Sequence, residues 1–309
     1  MTEPTTTPRR WSAWHLHLAT TARGAHDRVL TDVIGPTVRE LPPGTEWFFI
    51  RYWQSGPHLR LRIADLAPDA RADVGHALRD RLAAAGRLAP GEEPLAADAY
   101  EESAARLAAA GETGVDSSVR ALLPPGVHRA DYEPEFERYG GHALMPAAES
   151  LFHLSSELVL RLAPGITDEA RRARLALRGT LSAAVALGGP VERAHYFARG
   201  LDAWRAWASD AGHPDALLDR ITHVGQDPAA VRITPEAHGP FTGWYEGLAA
   251  HADDIRRHAT AHPGMILFSH AHMLHNRLGL SLLEELRTYA WLSHVFPVRQ
   301  PAAGPVPVG

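Results

Sequence analysis

The sequence predicts an α+β fold in which an N-terminal antiparallel sheet, built around a hairpin at 47–63, packs on a largely helical C-terminal half. Three observations lead there. Strand-like patterning is confined to residues 11–142, the helical period holds nearly throughout residues 143–296, and the two kinds of element are segregated along the chain instead of alternating as in a doubly wound sheet. No repeat of fixed period divides the chain, so it reads as a single domain, 1–309, with disordered tails at 1–10 and 300–309.

Residues 11–19 (WSAWHLHLA) alternate, which puts Trp14, Leu16 and Leu18 on one face of a strand and His15 and His17 on the other. A helix over 25–41 follows, with Val29, Leu30, Val33 and Val38 on its apolar side, an interruption at Gly35-Pro36 and a stop at Pro42-Pro43-Gly44. WFFIRYW, at 47–53, is aromatic and β-branched enough for a buried strand. Beyond Gln54-Ser55-Gly56-Pro57, HLRLRI at 58–63 alternates strictly, Leu59, Leu61 and Ile63 against His58, Arg60 and Arg62, and completes a hairpin. A helix from residue 69 ends near Gly86, the Ala- and Pro-rich stretch 90–126 allows shorter helical pieces, and 127–142 breaks all periodicity. Helices are then expected over 143–162, 168–187, 190–209, 213–222, 240–259 and 264–295, with Gly and Pro at the joins.

All 31 basic residues are arginine, since the chain has no lysine, and it has no cysteine either. Schiff-base chemistry and a phosphate-loop lysine are therefore excluded, as are thiol nucleophiles, disulfides and Cys-ligated metal centres. Acids, bases and cations must come from His, Glu, Asp, Tyr, Ser and Arg. A formal charge of −5 gives no general attraction to nucleic acid or an anionic membrane, so any anion site must be local. With no apolar run of about 18 residues and no apolar segment after the polar start, the expectation is a soluble cytoplasmic protein. The abundance of Ala, Arg, Gly and Pro suggests a coding bias that drains lysine and asparagine codons, and asparagine survives only at Asn276.

Three segments could carry chemistry. Arg60 and Arg62 leave the same face of a strand, with Arg51 on the preceding strand as a neighbour, and two guanidinium forks side by side suit a carboxylate; a wet sheet face is the plainer alternative. The segment YEPEFERYGG, 132–141, is a shaped loop whose double glycine permits positive φ; Glu135 and Arg138 either pair with each other, or Glu135 orients a hairpin arginine while Arg138 faces a ligand. In the apolar helical run around HAHMLHNRLG, 270–279, His272, His275 and Asn276 share a face. Without a third ligand at short range a metal is not expected there, whereas an imidazole suits proton transfer near neutral pH. His26, His76, His213 and His258 read mainly as surface residues.

In order, WFFIRYWQSGPHLRLRI, YEPEFERYGG followed by AESLF, and HMLHNRLG closely resemble the lantibiotic dehydratase C-terminal family, over essentially the whole chain from Trp11 to Phe296. That family includes the glutamate-elimination domain of class I lanthipeptide dehydratases, stand-alone relatives in thiopeptide pathways, and pyridine synthases. The resemblance implies a catalytic set of Arg60, Arg62, Glu135, Arg138 and His272, with His272 transferring the proton, the arginines holding anions and Glu135 positioning one of them. Arg51, Tyr139, Ser155, His275 and Asn276 are the implied substrate-binding residues. It implies no cofactor and no metal. It implies as partners a precursor peptide with its leader and a separate glutamyl-tRNA-dependent dehydratase subunit, without direct nucleic-acid or membrane contact, and leaves a homodimer open. Ser155-Ser156 departs from the Asp-Ser pair common in members that eliminate glutamate. Elimination is the preferred reading; formal [4+2] cycloaddition of two dehydroalanines with leader release, and a non-catalytic leader-binding subunit, are the alternatives.

Overall fold

A computed structural model describes residues 9–109, 118–224, 235 and 238–298. The expected α+β segregation is present. Four antiparallel strands, β1 (Trp11–His17), β2 (Trp47–Tyr52), β3 (His58–Ala64) and β4 (Gly126–Ala130), form a sheet of order β2-β3-β1-β4. Between them run α1 (Arg23–Val29), a π-helical turn (Leu30–Ile34), α2 (Gly35–Arg39), α3 (Pro68–Ala85) and α4 (Ala97–Ala109). The helical half comprises α5 (Met145–Leu162), α6 (Glu169–Leu187), α7 (Pro190–Asp210), α8 (Asp215–Thr222), α9 (Thr242–His258), α10 (Pro263–Leu278) and α11 (Leu282–Val295).

Strand alternation divides the sheet as the sequence predicts. Trp14, Leu16, Phe49, Leu59, Leu61 and Ile63 are fully buried and join Val29, Leu30, Val33, Ile34 and Leu78 in the core. Each such side chain contributes about 1.5–3 kcal/mol by leaving water. His15 faces Arg60 across β1 and β3, and His17 faces His58, so the polar set shares the other face. The hairpin turns through Ser55 and Gly56, both at positive φ (64° and 103°).

The edge strand β2 is closed by side chains of the helical half. The outward backbone groups of Trp47, Phe49 and Arg51 meet His153 Nδ1, which lies 2.9 Å from the Trp47 carbonyl and 3.2 Å from its nitrogen and bonds one or the other according to its tautomer, Ser156 Oγ, which accepts from Phe49 N–H at 3.2 Å, and Asn276 Oδ1, which accepts from Arg51 N–H at 2.8 Å. Asn276 Nδ2 also donates to the Arg51 carbonyl at 2.8 Å, so one amide satisfies both backbone groups of one residue.

Several expectations need correction. GVHRA is a strand, although it falls where periodicity fails, because a short edge strand needs only its pairing with β1. The single helix expected over 264–295 is two: Gly279 turns left-handed at φ 78°, and Ser281 with Glu284 forms a capping box that starts α11. The helix over 25–41 widens into its π turn just before Pro36, whose ring cannot donate to the preceding turn. Arg9 and Arg10 are held, by Glu46 at 2.7 Å and by Asp65 at 2.9 Å respectively, while the tails expected at 1–8 and beyond 298 lie outside the described residues. His26 is buried in α1, not at the surface.

Candidate active site

Where the polar face of the hairpin meets the 132–141 segment and α10, a small crevice opens, lined by Phe48, Ile50, Arg62, Tyr132, Glu133, Glu135, Tyr139, Met145, Phe152, Met273 and Arg277. β3 supplies Arg62 because alternation turns Arg60 and Arg62 to the same side. The segment that carries Glu135 bends through Gly140 and Gly141, at φ 88° and 99°. At Gly140 a Cβ would meet Leu144 Cδ1 at 2.7 Å and Ile266 Cδ1 at 2.9 Å, so both φ and packing require glycine there.

Two buried guanidinium groups dominate the crevice. Arg62 is 7% exposed and Arg277 1%. Arg277 Nε donates to Ser156 Oγ at 2.9 Å, but its two terminal nitrogens have no hydrogen-bond partner among the described residues, nor does Arg62 Nε. Arg62 packs on the rings of Phe48 and Tyr132, its Cζ 5.2 and 5.0 Å from their centroids, and Arg277 packs on Phe152 at 5.6 Å. Burial, with Arg60 adding to it, draws Arg62 down to about 10; burial, opposed by Tyr139 and reinforced by Arg62, draws Arg277 down to about 9. Both remain cationic at neutral pH. Aromatic faces offset a desolvated cation only in part, and an unmade charge-assisted hydrogen bond in a buried site is costly. A carboxylate between the two arginines would satisfy those donors.

The other residues of the implied catalytic set divide. Glu135 is exposed at the rim and accepts from Arg138 at 3.1 Å, so the two do pair; Glu135 also favours the charged forms of Arg60 and Arg62. Arg60 shares the sheet face but lies outside the crevice lining, its Cζ 3.4 Å over the Tyr52 ring and its Nε donating to His58 Nε2 at 3.1 Å. His272 is not brought to the crevice. Its Nδ1 lies 3.1 Å from both carboxylate oxygens of Glu285 on α11, and its ring packs on Trp204 and Trp207 of α7. Met273 and Arg277 are the α10 residues that face the crevice, and residue 272 is rotated about 100° from 273.

Of the implied substrate-binding residues, only Tyr139 lines the crevice. Alternation turns Arg51 to the opposite sheet face, where it donates to Asp27 at 2.7 Å and to the Arg277 carbonyl at 3.1 Å. Asn276 closes β2. His275 is fully buried between Glu285 at 2.8 Å and Thr180 at 2.7 Å. Ser155 is buried within α5 and donates to the Leu151 and Phe152 carbonyls. These four pack around the crevice without lining it.

Sequence reasoning missed Arg277 and Ser156. Arg277 reads as one more polar residue in an apolar helical run; its available signal was position, four residues after Met273 and hence on one helix face. Behind the crevice His270 packs on Tyr139 and Phe152, with ring centroids 5.0 and 5.5 Å away, and on His251 at 5.2 Å. Burial holds His270 well below its ordinary pKa, helped by His251, Arg277 and Arg138, and burial holds His251 at about 4.

A sheet with a cationic, aromatic-walled crevice against a helical half defines a class of domain suited to gripping an anionic group. Residues 11–296 match the lantibiotic biosynthesis dehydratase C-terminal family, and the chain belongs to it. Among curated proteins none matches. The solved pyridine synthase TbtD from thiomuracin biosynthesis is similar in fold, with TM-score 0.68 and 17% identity over 94% of this chain and 100% of that one. TsrL is similar with TM-score 0.62 and 12% identity, over 94% of this chain and 95% of that one. The tRNA-dependent lantibiotic dehydratase MibB from Microbispora sp. 107891 gives TM-score 0.54 and 20% identity, over 95% of this chain and 28% of MibB. Among the described residues no helix is long and apolar enough to cross a membrane.

Proposed function

We propose that this protein eliminates glutamate from glutamylated Ser or Thr side chains of a ribosomally made precursor peptide, leaving dehydroalanine or dehydrobutyrine. The observation that carries the reading is the pair of buried arginines, Arg62 and Arg277, which line one crevice and carry donors without a partner among the described residues. Elimination takes the α-proton of the modified residue, passes charge to its carbonyl oxygen, and breaks the Cβ–O bond so that glutamate leaves as a carboxylate. Negative charge develops on the leaving oxygen, and donors fixed in a dry site stabilise it most there. Arg62 and Arg277 grip the departing glutamate, and Tyr132 and Tyr139 wall the site.

Glu135 takes the α-proton in this reading. Its carboxylate is on the rim of the crevice, and the bond from Arg138 fixes one oxygen and leaves the other for the substrate. Arg60, in the field of Glu135 on the same sheet face, stabilises the enolate-like oxygen from outside the crevice. The reaction changes no overall oxidation state and calls for no redox cofactor. A separate glutamyl-transferring protein must supply the substrate, and the leader peptide delivers it.

The test is mass spectrometry of a glutamylated precursor peptide incubated with the protein. Loss of glutamate is expected, reduced about 10²–10³-fold in Arg277→Met and Arg62→Met, the usual cost of removing one fixed donor from developing charge. Cycloaddition is the second reading, prompted by Ser155. Conversion of a bis-dehydroalanine peptide to a macrocycle with leader release, and no glutamate loss, would put it in place of the first.

A further inference from the structure

One cluster on the sheet has no part in that reaction. His15 and His17 stand two residues apart on β1, His58 lies opposite His17 on β3, and His128 lies opposite His15 on β4, so alternation turns four imidazoles to one face. One ring nitrogen from each of His15, His17 and His58 can be chosen so that all three lie within 4.8 Å of one another. We propose that His15, His17 and His58 form a binding site for a divalent first-row transition-metal ion of the zinc type, held by three imidazoles from two neighbouring strands.

The rings are arranged for ligation. His58 Nδ1–H donates to the Gly56 carbonyl at 2.8 Å, which fixes the tautomer and leaves Nε2 with its lone pair, as an outer-shell partner does for a metal-bound histidine. His17 is 2% exposed, and neither of its ring nitrogens has a hydrogen-bond partner among the described residues. The Ser55 backbone lies near enough to favour its protonated form slightly, but not in bonding geometry. Two orphaned nitrogens on one buried ring are a standing cost that a ligand would remove. The His17 and His58 rings stack at 4.2 Å and the His15 and His58 rings at 4.8 Å, while His128 meets His17 edge-on at 5.0 Å and closes the far side.

Arg60 is the competitor. Its Nε–H donates to His58 Nε2, the atom a metal would take, and its charge and that of Arg62 oppose a second cation. Metal entry therefore requires the Arg60 side chain to swing from His58. Removing that side chain should strengthen binding.

Zinc titration of the chelator-treated full-length protein by calorimetry, with cobalt absorption as a second readout, tests this without reference to activity. One ion per chain is expected, with cobalt d–d bands of a low-coordinate nitrogen site. His17→Ala and His15→Gln should each weaken zinc by more than about 100-fold, since even the loss of an outer-shell partner costs 10- to 100-fold. His15→Gln, at a half-buried ring, decides the matter if His17→Ala does not fold. His76→Ala, on the exposed side of α3, should change nothing, and Arg60→Met should tighten binding. Native protein that takes up less than one zinc per chain, or that binds it equally well in both histidine variants, overturns the proposal.

Discussion

Arg51, mostly buried against the end of α10, and Arg277, fully buried on that helix, stand in opposite electrostatic situations. Arg51 donates to Asp27 and to the Arg277 carbonyl at the end of α10, and Arg172 reaches the same carboxylate at 2.7 Å as well as the Leu278 carbonyl. The last turn of α10 thus ends in a knot of two cations sharing one carboxylate, where a helix C-terminus also favours positive charge. The Arg277 side chain, although its own carbonyl belongs to that knot, has a hydroxyl at Nε and, among the described residues, no hydrogen-bond partner at its terminal nitrogens. Burial alone therefore does not separate structure from function. The missing counter-charge does.

Acid should loosen both sides through their buried histidines, His251 and His270 behind the crevice and His26 and His275 at the α1 and α10 side. His270 and His251 have folded-state pKa values below the ordinary 6.5, so the unfolded chain binds protons more readily. Their contribution to stability is complete above about pH 6.5 and falls with pH towards the folded values, by up to about 1.4 kcal/mol per pH unit for each group. Thermal melts should decline from pH 6.5 downward, ahead of the carboxylate range. A flat melting temperature between pH 6.5 and 5 would contradict this.

Removing the two arginines should give stability changes of opposite sign. Arg51→Met leaves Asp27 to Arg172 alone and the Arg277 carbonyl without its donor, at about 2–4 kcal/mol for a lost charge-assisted bond and an orphaned acceptor, whereas Arg277→Met deletes an uncompensated buried cation and should stabilise by about 1–4 kcal/mol. Denaturant midpoints for the pair decide it, and a less stable Arg277→Met would mean that its cation is satisfied in the free protein. The smallest effect is expected at Asn276→Asp, which loses the donor to the Arg51 carbonyl and sets a carboxylate oxygen against it, for about 1–3 kcal/mol by the same measurement.

These contrasts also explain what was legible in the sequence. The strict alternation of 58–63 fixes which face Arg60 and Arg62 leave, and the double glycine at 140–141 marks the bend that carries Glu135 to the crevice. Both are local rules with a short period. Arg277 was not legible because its character depends on Ser156, 121 residues away, and on the absence, among the described residues, of an acid bonded to its terminal nitrogens. The grouping of His272 and His275 on one face was right, since both meet Glu285, but their partner is a helix that a single run over 264–295 hides. Gly279 and the Ser281–Glu284 box signalled the break; read together, they fold α11 back and put Glu285 beside the histidines. Asn276, conspicuous as the lone asparagine, holds both backbone groups of Arg51 at the sheet edge.

An unpaired strand edge is a template on which another chain can add, and the WFFIRY edge of β2, aromatic and uncharged as far as Ile50, has the composition to serve. His153, Ser156 and Asn276 occupy its outward backbone groups as a surrogate fifth strand made of side chains. The helical half is thus also a guard against self-assembly. Any excursion that lifts α5 and α10 off the sheet exposes WFFIRY as a sticky edge, which couples solubility to the docking of two helices that also frame the crevice.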